Sequence, residues 1–342
     1  MAGYEPALLE RLREKFASLT KATGLTAPRS IEIWDRLITL YSEPHRHYHS
    51  LAHLDAVLAW LSDALHGAGP ASLTACDEPV LFWSAWFHDA IYEPQQHDNE
   101  RRSAELAVEL LSRHAGDLTT DRLRVLVTLI MATTRHQLPE LHDFELAAAS
   151  TAGAAAAAAP AAAAGDGASA ACAGGGSATA AAAFGAAAPI VAAPSQNPAP
   201  ATPRPQPEHV PLQQQDEALL QRLRHDAALL LDADLSALGG SPQAYAAYAA
   251  DIRAEYQPHY GAAAYAAGRC RVLRGFLQRP ELYFTSRGRS QHEAAARANL
   301  AAELAELEAV AREVQAEEGG AEAAVVEAEA IASSGGDNGR DE

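Results

Sequence analysis

Apolar residues recur at helical spacing along two long stretches of this chain, and nowhere do they alternate as a half-buried strand requires. The pattern "SIEIWDRLITLY" predicts a helix opening at Ser30, and "LAHLDAVLAWLSDAL" predicts another. "DNERRSAELAVELLSRH" carries its acidic groups in the first turn, where the helix dipole favours them, and "DRLRVLVTLIMATTRH" follows with the same period. Ser241 caps "SPQAYAAYAADIRAEY" with Pro242 at the first helical position, and Ser290 and Glu293 stand at capping-box spacing at the head of "SQHEAAARANLAAELAEL". The chain therefore belongs to the all-α class.

Between these stretches the pattern is lost. From about 146 to 211 the composition collapses to Ala, Gly, Pro and Ser, with no recurring large side chain to form a buried stripe. Alanine favours helix but Gly and Pro interrupt it, so the segment reads as a disordered insertion or a frayed, partly helical linker. Residues 311–342 form an acidic tail, partly helical or disordered. What remains is 1–145 and 212–310, whose sum suits one domain of ordinary size.

Composition narrows the partners. The net charge of -18 comes from 44 acidic against 26 basic residues, and no Lys/Arg block suggests a duplex nucleic-acid partner. Cys76, Cys172 and Cys270 form no CxxC pair, which fits a reducing compartment and excludes a thiolate knuckle. The N-terminus has an amphipathic pattern rather than that of a secretory signal, and no apolar window approaches a membrane span. A soluble, cytoplasmic protein is expected.

Three stretches place polar groups where packing alone would want apolar ones. "FWSAWFHDAIYEP" embeds His88 and Asp89 in an aromatic run, where an unpaired carboxylate is costly. Adjacent side chains on a helix point about 100° apart, so the two are suited to a common cation rather than to each other. "EPHRHYHSLAHLDAVL" carries His45, His47, His49 and His53, the last two at i, i+4. "LLLDADLSALGG" interrupts a leucine-rich helix with Asp232 and Asp234. For the last two a bland alternative stands beside the metal: a histidine-rich turn, or one Asp facing water and the other capping a turn.

The order His…His-Asp…Asp resembles the signature of the HD superfamily of metal-dependent phosphohydrolases. "RHYHSLAHL", "WFHDAIYEP", "DNERRSAELA", "LIMATTRHQ", "LLDADLSALG", "YAAYAADIRAEY", "GRCRVLRGFLQRPELYFT" and "EAAARANLAAEL" look, in that order, like the blocks of a small family of predicted HD-type enzymes. The resemblance implies one discontinuous HD-type helical domain, with the low-complexity insertion as a surface loop. It also implies a metal set of His53, His88, Asp89 and Asp232, with His53 preferred to His49 and Asp232 to Asp234. "RHDAALL" holds a second dipeptide, His225-Asp226, which is expected to be a surface pair at a helix start.

A site of two imidazoles and two carboxylates suits Mn, Fe, Co, Ni or Zn, one ion per chain. The expected activity is hydrolysis of a small phosphorylated substrate, such as a nucleotide, by a metal-activated water. Glu93 and His136 are the candidate acid–base residues, with pairing to Arg or a helix-end role as their alternatives. Arg46, His49, Asn99, Arg253 and Arg269 are candidates for substrate binding, with structural pairing to carboxylates such as Glu255 the alternative for the arginines. Competing readings are a non-catalytic metal- or nucleotide-binding regulatory module and an iron-dependent oxygenase of HD type.

Overall fold

The computed structural model describes residues 5–67, 73–112, 118–158, 212–310 and 312, and all regular structure among them is helical. The first block supplies α1 (Pro6–Ala22), α2 (Ala27–Tyr41), α3 (Leu51–His66), α4 (Glu78–Phe87), α5 (Asn99–Ser112), α6 (Thr120–Thr133) and α7 (Leu141–Ala158). The second supplies α8 (Leu212–Asp234), a 3-10 turn (Leu235–Gly239), α9 (Pro242–Tyr260) and α10 (Ala262–Leu277). A helical turn at Ser286–Gly288, a π-helical turn at Arg289–Glu293 and a terminal helix over 294–310 close the described chain. None of the described helices is long and apolar enough to cross a membrane.

α4 lies at the centre, and its sequence explains why. The Asp77 carboxylate accepts from the Val80 N–H, Pro79 sits in the first turn, and Val80, Leu81, Trp83, Ser84, Ala85, Trp86 and Phe87 are all buried. A helix apolar on every side must be surrounded, and α1, α3, α5, α6 and α8 pack around it. Phe16 of α1 meets Trp34, Trp83 and Trp86 edge-on at centroid distances of 5.4, 5.7 and 5.2 Å. Such contacts add about 0.5–1.5 kcal/mol each beyond the area they bury.

α8 joins the two blocks. Its Ala227, Leu229, Leu230 and Ala233 are part of the same apolar core as α1, α3, α4 and α6. A second core, of Leu235, Leu238, Tyr245, Leu273, Leu282, Tyr283 and Leu300, lies among α9, α10 and the terminal helix. The chain thus crosses from one core to the other where α8 gives way to the 3-10 turn.

Several boundaries differ from the sequence expectation. α2 starts at Ala27, with Pro28 in its first turn, so Ser30 lies inside it and its hydroxyl donates to the Thr26 carbonyl at 3.1 Å. Ser290 and Glu293 do not form a capping box. Thr285 caps that end by accepting from the Gly288 N–H, and Glu293 receives the N–H groups of Leu282 and Tyr283 instead. α7 continues to Ala158, so 146–158 is helical; alanine's propensity carries the helix on through Gly153. The rest of the expected insertion, 159–211, lies outside the described residues, as does the expected tail apart from 312.

Candidate metal centre

Four side chains from three helices meet where α3, α4 and α8 converge. His53 lies in the first turn of α3, His88 and Asp89 follow directly on α4, and Asp234 is the last residue of α8. One donor atom from each lies within 4.8 Å of all the others. His53 Nε2 is 3.4 Å from His88 Nε2, 3.5 Å from Asp89 Oδ2 and 3.2 Å from Asp234 Oδ1. His88 Nε2 is 3.1 Å from Asp89 Oδ2 and 3.6 Å from Asp234 Oδ1.

These separations fit a coordination polyhedron. Donors about 2.1 Å from a cation lie about 3.0 Å apart along an octahedral edge and about 3.4 Å apart along a tetrahedral one. The His88 Nδ1–H donates to the Ala85 carbonyl at 2.8 Å, which fixes the tautomer and leaves Nε2 aimed at the cluster. Two imidazole nitrogens facing each other across 3.4 Å make a poor hydrogen bond and a good pair of ligands. The residues present therefore fit a divalent ion with mixed N/O preference.

The electrostatics agree. Burial opposes charge on all four groups, yet the carboxylates of Asp89 and Asp234 are held well below the usual range: Asp89 by His88 and His53, Asp234 by His136, His53 and His88. His88 is held well above its ordinary value by Asp89 and Asp234, and His53 is raised by the same pair. Excess negative charge is concentrated here, and protons on the imidazoles are what balance it. A cation would take their place.

Asp234, not Asp232, completes the cluster. Residues two apart on a helix point about 200° apart, so only one carboxylate of "DAD" can face α3 and α4. Asp232 points the other way and is fully buried, accepting from the Phe284 N–H at 2.7 Å, the Thr285 N–H at 2.9 Å and the Thr285 hydroxyl at 2.6 Å. A Cβ at position 288 would collide with this carboxylate, which accounts for Gly288. Asp232 pins the turn that leads into the terminal helix.

The other candidates divide into site and scaffold. His136 is brought to the centre, its Nε2 3.1 Å from Asp234 Oδ2. It adopts a left-handed backbone conformation (φ 48°), uncommon for a residue with a side chain, while its carbonyl is held by Arg279. Arg46 is buried and spends its guanidinium on the carbonyls of His49, Asp89 and Ala90 and on Glu43. It shapes the turn after His88 rather than offering a free phosphate clamp. Arg269 is paired through Nε and Nη2 with Glu303, not Glu255, and Arg253 lies over the Tyr265 ring.

Glu255 has a different role. Its Oε1 accepts from three successive backbone N–H groups, those of His47, Tyr48 and His49, at 2.8, 2.8 and 2.9 Å. Its Oε2 receives His49 Nδ1–H at 2.7 Å and the Tyr92 hydroxyl at 2.9 Å. His49 is thereby committed to Glu255 while His53, one turn on, faces the metal donors. Asn99 closes the 93–99 loop by bonding the N–H and carbonyl of Glu93, whose own side chain is exposed.

Two neighbours escaped the sequence reading. Glu100 is half-buried, its carboxyl raised by burial and by the charge of Asp89, with His136 and His88 also acting on it. Tyr48 packs on His53 at 4.6 Å between ring centroids and meets Tyr248 edge-on at 4.7 Å. Glu100 sits in a helix's first turn, where acidic residues are ordinary, so nothing in its spacing marked it. Comparison with known protein families, with curated proteins and with solved structures yields no match to this chain, and the His/Asp centre is what the molecule itself offers toward a function.

Proposed function

We propose that this protein is a metal-dependent phosphohydrolase built on an HD-type helical domain, acting on a small phosphorylated molecule such as a nucleotide. The observation that carries the reading is the convergence of His53, His88, Asp89 and Asp234 at ligand-to-ligand separations. An ion of the Mn, Fe, Co, Ni or Zn group, when bound, supplies polarisation of a phosphoryl oxygen and a lowered pKa for water. The chain's own residues supply the rest.

His53 and His88 are nearly closed to solvent, with side-chain exposures of 3% and 1%, whereas Asp89 and Asp234 retain 15% and 12% and His136 has 27%. Substrate approaches from the His136 side. There His136 Nε2 faces Asp234 Oδ2, and Glu100 stands half-buried in the first turn of α5, the two side chains placed to protonate a departing alkoxide. Tyr48 keeps water from the His53 face.

The test is turnover by the full chain loaded in turn with each of these metals. p-Nitrophenyl phosphate, bis(p-nitrophenyl) phosphate and a panel of nucleotides serve as substrates. At least one metal is expected to release nitrophenol or inorganic phosphate, with activity lost to a chelator and in Asp89→Ala. Stoichiometric metal without turnover of any substrate would overturn the hydrolase reading and leave a metal- or nucleotide-binding module.

A further inference from the structure

His225-Asp226, expected on the surface at a helix start, lies within α8, and the structure sets it against Cys76. One ring nitrogen of His225, one oxygen of Asp226 and the Cys76 sulfur lie within 4.8 Å of one another. Asp226 is buried, while Cys76 and His225 are exposed. Its Oδ1 accepts from the Cys76 N–H at 2.8 Å and its Oδ2 from the Asp77 N–H at 3.0 Å. Each oxygen keeps a further lone pair.

We propose that Cys76, His225 and Asp226 form a second metal site, selective for a zinc-like cation, with its remaining position open to solvent water. Two features go beyond a structural clamp. The clamp accounts for Asp226 and the two N–H groups, but not for a thiol and an imidazole gathered over the same carboxylate. The imidazole is also oriented: Nε2–H donates to the Thr74 carbonyl at 2.5 Å, leaving the lone pair on Nδ1. A backbone carbonyl holding one ring nitrogen is how ligating histidines are commonly fixed.

The donor chemistry selects the ion. A thiolate excludes Mg and Ca and, with one imidazole and one carboxylate, favours Zn or Co. Without a cation the Cys76 thiol is raised by burial and by Asp226, with Arg222 acting in the opposite sense. On binding, a sulfur–metal bond forms and the thiol proton passes to solvent. This differs from the central site, which holds no sulfur.

Position gives the site a purpose. Cys76 precedes the first turn of α4 and His88 follows its last; Asp226 lies two turns before Asp234 on α8. The two helices that carry central ligands would be stapled about 12–18 Å from that centre. The inference stands whether or not the central site hydrolyses phosphate.

Cobalt(II) titration of the full chain under a non-thiol reductant tests it, because only a thiolate ligand gives a sulfur-to-cobalt charge-transfer band in the near ultraviolet. The wild-type chain should show the band and bind two equivalents. Cys76→Ala, at an exposed position, should lose the band and one equivalent, and His225→Ala should weaken that equivalent by about tenfold or more. Asp89→Ala should keep the band while losing the other equivalent. Absence of the band from the wild-type chain, or its survival in Cys76→Ala, would overturn the site.

Discussion

His88-Asp89 and His225-Asp226 are the same dipeptide in two settings. The first follows the last residue of α4, where the chain leaves the helix and both side chains turn toward one point, His88 Nε2 3.1 Å from Asp89 Oδ2. The second lies within α8, where consecutive side chains diverge, so that Asp226 is buried while His225 faces solvent. The deeper difference is in what fills the carboxylates. Asp232 and Glu255 are satisfied by backbone N–H groups and neighbouring side chains; Asp226 gives one lone pair of each oxygen to backbone N–H groups and lies beside a thiol and an imidazole, whereas Asp89 and Asp234 face imidazoles. Burial of an acid does not by itself mark a metal site; in both settings the mark is a carboxylate oxygen gathered with other donor side chains around one point.

The sharpest way to break this comparison is to remove one member of each dipeptide. Asp89→Ala should empty the central site and lower phosphoester turnover about a thousandfold, with helix content by circular dichroism unchanged. His225→Ala should leave turnover alone. Equal losses in the two variants would erase the distinction.

Glu255 tests the satisfied class through pH. Burial opposes its ionisation, but the His49 ring and N–H, with the Tyr92 hydroxyl, outweigh burial and hold it at about 2 against an ordinary 4.5. A depressed carboxylate contributes stability that is fully present above 4.5 and is lost as pH falls toward 2, here roughly 3 kcal/mol. Denaturant melts down the acid limb should fall more steeply for the wild-type chain than for Glu255→Gln. Parallel slopes would show that the bonds to Glu255 contribute little.

The "DAD" pair separates the classes within one element. Asp232→Ala leaves buried N–H groups unmet and should cost about 2 kcal/mol in thermal or urea unfolding while metal content holds. Asp234→Ala should do the reverse, losing metal with little change in the metal-free stability. The smallest contrast is between two glutamates near the mouth: Glu100→Gln should slow turnover about tenfold, while exposed Glu93→Gln stays within about twofold.

Much of the scaffold was legible. Helical spacing located α3, α5, α6 and α9, and the aromatic run with His88-Asp89 marked a buried site, because residue type and period alone carry that information. His53 could be told from His49 only through the resemblance. Asp234 could not be told from Asp232, because both interrupt the same leucine run and the choice depends on which face of α8 meets α3. For Arg46 and Arg269 structural pairing stood open beside substrate binding, and the choice was not legible because a guanidinium's partners, here distant carbonyls and Glu303, leave no local trace. Alanine's helix propensity left a helical start to the 146–211 segment open, but without a buried stripe nothing in the sequence set its length.

Glu255 reaches back 206–208 residues to grip the three N–H groups that precede α3, and Asp234 reaches back across the 146–211 segment to His53, His88 and His136. During synthesis the ribosome releases His53, His88 and Asp89 long before either acid exists. A nascent chain therefore carries an unfinished set of donors, on a loop that Arg46 ties to the turn after His88 but that Glu255 does not yet grip. If the centre holds an ion as proposed, its capacity to do so arrives only once α8 has docked against α3 and α4, so metal loading would report the joining of the two sequence blocks.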